Sequence, residues 1–415
     1  MTHARTFLAA AALALLPTRA GATSYVMPSD GALADRADVI AHVRVDGVAP
    51  APDRAALDYR VTVDRTLKGG RTGTLIIRVP GGPSPDGLAL HVDGAPRLAP
   101  GEQALLFLRP NADGTFRIAH VILGAFVEAD VGGERVVVRD LGDAVEMPSA
   151  RSAGSEHDLP RDLDRFQAWL ADRAAGVQRA PDYFVSAPAG SRRRNSELRD
   201  PAVRWFRFEG PRLSKHVDWL IDPLGQDGLP NRGRQEFRSA LQAWNRLRGS
   251  TISYRVRGFT AADGGLDVYD GINAIRYEVD FGDPYDCQEG GTLAIGGAWF
   301  DDTASLDFRG TEYSPIIGGD IIVNQNVACF FEASTRPRAA ARELYAHELG
   351  HTLGLQHSCG DEESGPCRTL DDFEALMRAG VHDDGRGAYV GQADKDAICT
   401  LYPDARLTSE QCARR

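Results

Sequence analysis

An eleven-residue run that begins at His347 reads His-Glu-Leu-Gly-His-Thr-Leu-Gly-Leu-Gln-His, and each fixed position has a distinct chemical use. On a helix, His347 and His351 project from one face, so both imidazoles can reach one metal ion. Gly354 can adopt a backbone conformation that lets the chain turn and bring His357 to the same ion. Three neutral imidazoles leave one tetrahedral position open, which is typical of a catalytic zinc. Glu348 lies slightly off that face, where its carboxylate can contact a metal-bound water.

The residues around this run support the interpretation. Residues 339–345 are rich in helix formers, so the first part of the run is predicted to be helical. The extended pattern is the signature of the metzincin zinc endopeptidases, which also carry a methionine in a turn beneath the metal. The Ala-Leu-Met sequence that ends at Met377 resembles that turn, and Ser358 directly after the third histidine is typical of the matrixins. The resemblance implies a Zn²⁺ enzyme in which Glu348 is the general base.

Three further stretches resemble matrixin landmarks, so the resemblance covers about residues 200–403. Residues 237–247 are similar to the first helix of that fold, with apolar residues at helical spacing. Residues 319–324 are similar to the strand before the zinc helix, and residues 394–402 to the closing helix.

Residues 291–300 resemble the edge strand that forms the upper rim of a matrixin cleft. A peptide substrate could pair with the free backbone groups of such a strand. The expected substrate-binding residues are Leu293, Ala294, Ile295 and Gly296. The alternative is an interior strand that has no part in substrate binding.

The two residues that directly follow Met377 differ from the family pattern. Arg378 stands where matrixins often have an aromatic residue followed by proline, which affects the expected specificity pocket. Ala379 stands where other metzincins place a tyrosine ligand, so no such ligand is expected. Loop carboxylates often hold calcium in matrixins, and a Ca²⁺ site is one interpretation of four aspartates, Asp301, Asp302, Asp307 and Asp320.

All six cysteines lie in the final third of the chain, and an even number in an exported protein favours disulfides. Sequence proximity and the layout that the resemblance implies favour Cys287–Cys329, Cys359–Cys367 and Cys399–Cys412. A cysteine zinc site lacks the usual C-x-x-C spacing, and buried free thiols are the other alternative. Residues 1–286 contain no cysteine. The propeptide cysteine that keeps typical matrixins latent is therefore absent.

Residues 1–22 are predicted to be a signal peptide. His3 and Arg5 precede an apolar core at 7–16, and Ala-Gly-Ala at 20–22 is a small-x-small cleavage site. No later stretch is long enough to span a membrane, so a secreted protein, periplasmic or extracellular, is expected. A retained N-terminal membrane anchor is the alternative.

Residues 23–150 are predicted to form an all-β, barrel-like domain. The runs at 100–108 and 67–69 resemble a small barrel module found ahead of bacterial proteases, which is OB-like and related in shape to netrin-type modules. Short segments with period-2 alternation are separated by turn residues. The clearest are 39–48, 57–67, 73–79, 103–108 and 126–129. Such a domain could bind a substrate or a surface, shield the active site, or assist folding.

Residues 151–199 are interpreted as a linker with one amphipathic helix at 163–174. Three arginines at 192–194 in a polar setting are either a processing site or a solvated tether. The catalytic domain is expected at 200–415, with strands at 204–208, 217–221 and 251–256.

The predicted fold class is therefore α+β. A metzincin catalytic domain with a twisted, mostly parallel sheet, a zinc helix and a Met-turn follows the barrel-like domain. The net charge of −11 and the presence of only three lysines argue against nucleic acid as a partner, and a protein or peptide substrate is expected. The oligomeric state is not predicted. The alternative function is a surface-binding protein whose β domain acts and whose zinc site is structural.

Overall fold

The computed structural model describes residues 22–92, 94–139, 141, 145–146, 159–186, 202–208, 215–262, 265–280, 282–360, 364–382 and 384–415. The strands are β1 Ala22–Val26, β2 Val39–Pro50, β3 Ala56–Lys68, β4 Gly73–Pro80, β5 Gly82–Pro83, β6 Ala89–Val92, β7 Gln103–Pro110, β8 Phe116–Ile118, β9 Ala125–Val131, β10 Glu134–Arg139, β11 Val145–Glu146, β12 Arg161–Asp162, β13 Val203–Arg204, β14 Val217–Ile221, β15 Tyr254–Phe259, β16 Ala274–Val279, β17 Gly291–Phe300, β18 Leu306–Phe308 and β19 Thr311–Asn324. The helices are α1 Asp30–Arg36, α2 Leu163–Ala174, α3 Arg234–Asn245, α4 Ala328–Ala333, α5 Pro337–Thr352, α6 Leu370–Glu374, α7 Gln392–Leu401 and α8 Ser409–Ala413, with 3-10 turns at Phe206–Phe208 and Pro230–Gly233.

A five-stranded barrel forms the core of the N-terminal region. Its strands run β7–β2–β3–β4–β8, and β8 pairs back with β7 to close the circle. Each of the five segments predicted from period-2 alternation lies largely within an observed strand, because one face of each strand is buried. Four of these strands belong to the barrel, and the fifth, β9, pairs with β7. Register shifts along β2 are bulges, which bend a strand enough for a small barrel to close.

A mixed sheet forms the centre of the C-terminal region. Strands β15, β14, β16 and β19 are parallel neighbours, and β17 adds antiparallel to β19. Helix α3 buries Phe237, Leu241 and Trp244, which are spaced so that they share one helix face. These side chains share a core with the inner faces of α5 and of the sheet. Each large apolar side chain buried there stabilises the fold by about 1.5–3 kcal/mol.

Two of the strands predicted in this region differ from the structure. The strand expected at 251–256 begins only at Tyr254. The strand expected at 204–208 is wrong beyond Arg204, because the chain turns into a 3-10 helix. The turn has a physical reason. It buries Trp205, whose indole donates a hydrogen bond to the Thr352 carbonyl at the end of α5.

The N-terminal region also contributes strands to the mixed sheet. Strand β1 pairs antiparallel with the first half of β17, and β6 pairs with its second half. Strand β11 pairs with the outer edge of β1. The prediction that 291–300 is a free edge strand is therefore wrong: β17 has partners on both edges, and all of its residues are buried.

The segment after the barrel packs back onto it. Helix α2 lies where the linker helix was predicted and buries Phe166, Trp169 and Leu170 against the barrel and α1. The processing site considered at 192–194 and the predicted signal peptide before residue 22 lie outside the described residues.

The six cysteines form three disulfides, and these are the three pairs that proximity favoured: Cys287–Cys329, Cys359–Cys367 and Cys399–Cys412. The first ties the loop before β17 to α4, and the third ties α7 to α8. Within the described ranges, no helix has both the length and the apolar character needed to cross a membrane.

Candidate metal centre

Helix α5 carries the first part of the motif and is fixed by side chains of other elements. From Glu343 to Thr352 every residue is buried. The Trp244 indole donates to the Ala346 carbonyl at 2.9 Å, and the Tyr402 hydroxyl donates to the Leu353 carbonyl at the end of the helix. Carbonyls at a helix end need such partners when water cannot reach them. The helix is therefore held in one position against the sheet.

Gly354 reverses the chain after this helix, as the motif predicts. Its φ of +87° lies in the left-handed region, where other residues are strained. A side chain there would also lie 2.5 Å from the Val203 carbonyl oxygen of β13. The reversal brings His357 back towards the helix.

The three histidines converge in the interior. The Nε2 atoms of His347 and His351 lie 2.7 Å apart, and those of His347 and His357 lie 3.2 Å apart. Among the described residues, they are the only group of three or more histidine, cysteine or acidic side chains with converging ligand atoms.

Hydrogen bonds define which nitrogen of each helix histidine faces inward. The Nδ1 atoms of His347 and His351 each lie 2.8 Å from a backbone carbonyl, of Leu376 and Leu355 respectively. A carbonyl can only accept, so each Nδ1 carries the proton and each Nε2 carries a lone pair. Burial also lowers the pKa of His347 to about 3 and that of His351 well below its usual value. Both rings are therefore neutral.

This arrangement fits a bound cation. The lone pairs of the two Nε2 atoms face each other at 2.7 Å with no proton between them, so they repel each other. A cation bound between the two nitrogens would remove this repulsion. A carbonyl partner on the outer nitrogen is the usual support of a metal-binding histidine. The cluster could therefore hold a metal ion through His347, His351 and His357.

A turn beneath the cluster supports it from the other side. Met377 packs against Gly350 of α5, where a side chain larger than hydrogen would collide with the thioether. The Met377 carbonyl accepts a hydrogen bond from the Ser358 amide at 2.7 Å, which joins the turn to the residue after His357.

Asp394 fixes this turn, a role that the sequence analysis missed. Its buried carboxylate accepts hydrogen bonds from the amides of Leu376, Met377 and Gly391 at 2.7–2.9 Å. Burial raises the pKa of Asp394 to about 6, although the three amides act in the opposite direction. An aspartate in the first turn of the closing helix is the only local signal, and it does not identify the partner.

The loop after the Met-turn is tied to the helix as well. The side chain of His382 is 5 % exposed and lies 2.7 Å from the Glu343 carboxylate of α5. Arg378, the departure from the family pattern, donates to the Val381 carbonyl within its own loop. The loop is therefore rigidly placed beside the histidines.

Glu348 faces β17 and the N-terminal strand. A side chain on Gly296 would lie 2.7 Å from the Glu348 carbonyl and 2.9 Å from its Oε2 atom, so β17 and α5 approach too closely for anything larger. Ser24 of β1 donates a buried hydrogen bond to Glu348 Oε1. Of the predicted substrate-binding residues Leu293, Ala294, Ile295 and Gly296, the last lies against Glu348, and β1 pairs along this part of β17.

The four candidate calcium ligands are not brought together. Asp320 is buried and accepts from the Ala274 amide and the Trp299 indole. Asp301 accepts from Thr303 in its own loop, while Asp302 and Asp307 are exposed. Among the described residues these carboxylates do not form a cluster of three or more converging ligands, and calcium binding by any of them stays a prediction.

Neither a scan against known protein families nor a search of curated proteins finds a match to this chain.

Proposed function

We propose that the chain is a secreted, zinc-dependent endopeptidase of the metzincin type, close to the matrixins, with an OB- or netrin-like barrel at its N-terminal end. The observation that carries the proposal is the convergence of the Nε2 atoms of His347, His351 and His357, with Glu348 next to His347 on the buried helix α5. The pattern of this run, the Met377 turn beneath it and the neutral state of the helix histidines support the same conclusion.

The residues suit zinc better than a hard cation. Imidazole nitrogen is a preferred ligand of Zn²⁺, whereas Ca²⁺ and Mg²⁺ take oxygen ligands. Three protein ligands leave one position for water or substrate. When bound there, Zn²⁺ would act as a Lewis acid that polarises the substrate carbonyl and lowers the pKa of a coordinated water.

Glu348 is the residue that moves protons. Its carboxylate directly follows the ligand His347 in sequence and faces β17. There Oε1 can accept a proton from an attacking water as the tetrahedral intermediate forms. The same oxygen can then deliver that proton to the nitrogen of the leaving amine.

Strand β17 aligns the substrate. An extended peptide that adds to its outer edge beside Gly296 would run past Glu348 and the histidines, held by main-chain hydrogen bonds. Because these bonds involve the peptide backbone, the site favours extended or unfolded polypeptides over compact ones. The pairing of β1 at this same edge supports the assignment, since a peptide strand demonstrably fits there.

The experiment is proteolysis of a reduced, unfolded protein by the zinc-loaded chain, with cleavage products identified by mass spectrometry. We expect peptide-bond cleavage that a chelator abolishes and that added Zn²⁺ restores. The Glu348→Ala protein, prepared in parallel, controls for contaminating peptidases because it should be inactive. Chelator-insensitive cleavage, or equal cleavage by the Glu348→Ala protein, contradicts the proposal and leaves the surface-binding alternative.

A further inference from the structure

We infer that residues 23–26 are a built-in inhibitory strand that occupies the substrate cleft and keeps the peptidase latent. The inference rests on the proposed function, and it supplies a means of latency in a chain that has no cysteine before Cys287. It follows from four observations: the pairing of β1, the contact of Ser24, the cover on the other side of β1, and the anchors that hold it.

The first observation is the place where β1 binds. It pairs antiparallel with β17 from Ala22 opposite Gly296 to Val26 opposite Gly291. Strand β19 occupies the opposite edge of β17, so β1 takes the one edge that a substrate strand could use. Thr23 and Ser24 are fully buried in this position. A substrate cannot pair with this part of β17 until β1 leaves.

The second observation concerns the chemistry at the middle of β1. The Ser24 hydroxyl donates its hydrogen bond to Glu348, the proposed general base. A carboxylate oxygen has two lone pairs, so this bond takes up one of the positions at which Oε1 could accept a proton from water. The strand therefore contacts the reacting group as well as covering the binding edge.

The third observation is that the strand is enclosed on both sides. Strand β11 pairs with the outer edge of β1, with Val145 opposite Ser24 and Glu146 opposite Tyr25. The Glu146 carbonyl in turn accepts a hydrogen bond from the Val381 amide in the loop after the Met-turn. Strands β1 and β11 thus fill the whole width between β17 and that loop.

The rest of the β17 edge is covered too. Strand β6 pairs with Gly297–Phe300, directly beyond the position where β1 ends at Gly296. The two strands lie end to end, so this edge of β17 is paired from Gly291 to Phe300.

The fourth observation is the anchoring of the chain that directly follows β1. Asp30, a few residues further on, is buried and accepts hydrogen bonds from Arg139 of β10, Arg161 of β12 and Tyr183 after α2. Burial opposes its charge, but the two guanidinium groups hold the pKa of Asp30 below its usual range. Arg36 also pairs with Asp286 in the loop before β17. These contacts therefore hold the strand in place, and inhibition is expected to end when they are removed.

The test is to expel the strand without disturbing the site. In Ser24→Glu, a second carboxylate is placed against Glu348 in a fully buried position, where two like charges repel and the larger side chain does not fit. Thr72→Glu is the matched control, since it adds the same charge in an exposed loop of the barrel. A chain that lacks residues 23–26 removes the occupant by a second route, in case the substitution impairs folding.

Two readouts are measured on the full chains. Hydrogen–deuterium exchange of residues 291–296, followed without added metal, reports whether the edge of β17 has been freed. Cleavage of an unfolded protein by the zinc-loaded chains reports whether the strand inhibits peptidase activity. In Ser24→Glu and in the deletion we expect faster exchange and an increase in turnover of about tenfold or more, because a nearly always occupied cleft becomes open. Thr72→Glu should match the wild type in both.

Unchanged exchange at 291–296 together with unchanged turnover overturns the inference. Faster exchange without greater turnover, in chains that do cleave, overturns the inhibitory role. Faster exchange in chains that cleave nothing contradicts the proposed peptidase function instead, while the occupancy of the cleft by β1 stands.

Discussion

Burial and backbone carbonyls prepare His347 and His351 for a metal. The desolvation that lowers the pKa of His347 to about 3 keeps its ring neutral at any pH at which the protein is expected to work. The carbonyls of Leu376 and Leu355 then select which nitrogen faces inward. The ligand residues were predictable because their spacing encodes a helix face. Their carbonyl partners were not, because any residue type supplies a carbonyl and only the fold decides which one is near.

Gly296 is a residue-scale test of how closely β17 approaches α5. We expect Gly296→Ala to lower the free energy of unfolding by about 1–3 kcal/mol, because the new methyl group overpacks against Glu348. Peptidase activity of Gly296→Ala should also fall, because the new methyl group displaces Glu348 from its position. Chemical denaturation and a cleavage assay measure the two effects.

The control is Gly258→Ala on β15, whose methyl group would meet Leu220 at an ordinary 3.9 Å. If both substitutions change stability equally, the close approach at Gly296 is not the cause.

Asp320 gives a prediction for pH dependence. Burial raises the pKa of this carboxyl to about 8, above its ordinary value of 3.8. Its contribution to stability is therefore complete below about pH 4 and is lost as the pH rises through 8. Relative to Asp320→Asn, which does not titrate, the wild type should lose up to about 1.4 kcal/mol of unfolding free energy per pH unit between pH 5 and 8.

Urea denaturation at several pH values in this range measures the difference. Asp301→Asn is the control, because the hydrogen bonds from Thr303 lower the pKa of Asp301 and place its titration below this range. A pH-independent difference between the wild type and Asp320→Asn would show that the buried carboxyl does not titrate there.

At the scale of elements, the site depends on what holds α5 and the Met-turn together. The helices at 237–247 and 394–402 were predicted to within about three residues, since apolar spacing and capping residues are local signals. The segment at 204–208 was not, because its alternating pattern suits a strand. There the burial of Trp205 beneath the end of α5 overrides local preference.

Asp394 tests the link between the closing helix and the Met-turn. Asp394→Ala leaves three buried amides without their acceptor, and we expect a loss of about 2–4 kcal/mol in unfolding free energy. Zinc affinity should also fall, because the Leu376 carbonyl that orients His347 belongs to the same turn.

Calorimetry of unfolding and zinc titration check both effects. Asp396→Ala on the exposed side of the same helix is the matched control and should stay within about 0.5 kcal/mol of the wild type. Equal effects of the two substitutions would contradict a specific role for Asp394.

At the scale of the whole molecule, strand pairing between distant parts of the chain decides how the site is presented. The resemblance of 291–300 to the edge strand of a matrixin cleft correctly predicted a strand, but it also implied a free edge. The partner of that edge lies more than 260 residues earlier, at Ala22–Val26. A sequence pattern defines which face of a strand is apolar, but it does not identify a partner that is joined only by backbone hydrogen bonds. The barrel strands were predictable because each has one apolar face, and because β2, β3 and β4 pair with their neighbours in sequence.

Further contacts join the N-terminal region to the mixed sheet. Arg109 of the barrel pairs with Asp283 at 2.7 Å, and the Thr292 hydroxyl of β17 donates to the His120 carbonyl. Together with the pairing of β1 and β6, these contacts place the N-terminal region directly against the strand that packs on Glu348.

The most direct test of the central claim measures zinc content and peptide-bond cleavage in the same preparations, using chains that lack residues 23–26. In this background we expect the otherwise unchanged chain to bind one zinc and to cleave an unfolded protein. Glu348→Ala should keep its zinc and lose nearly all cleavage, because the ligands are intact and the proton acceptor is gone. His351→Ala should lose both, because one of three ligands is missing. Cleavage that persists in Glu348→Ala, or in His351→Ala without zinc, would contradict the assignment of this site as a zinc peptidase.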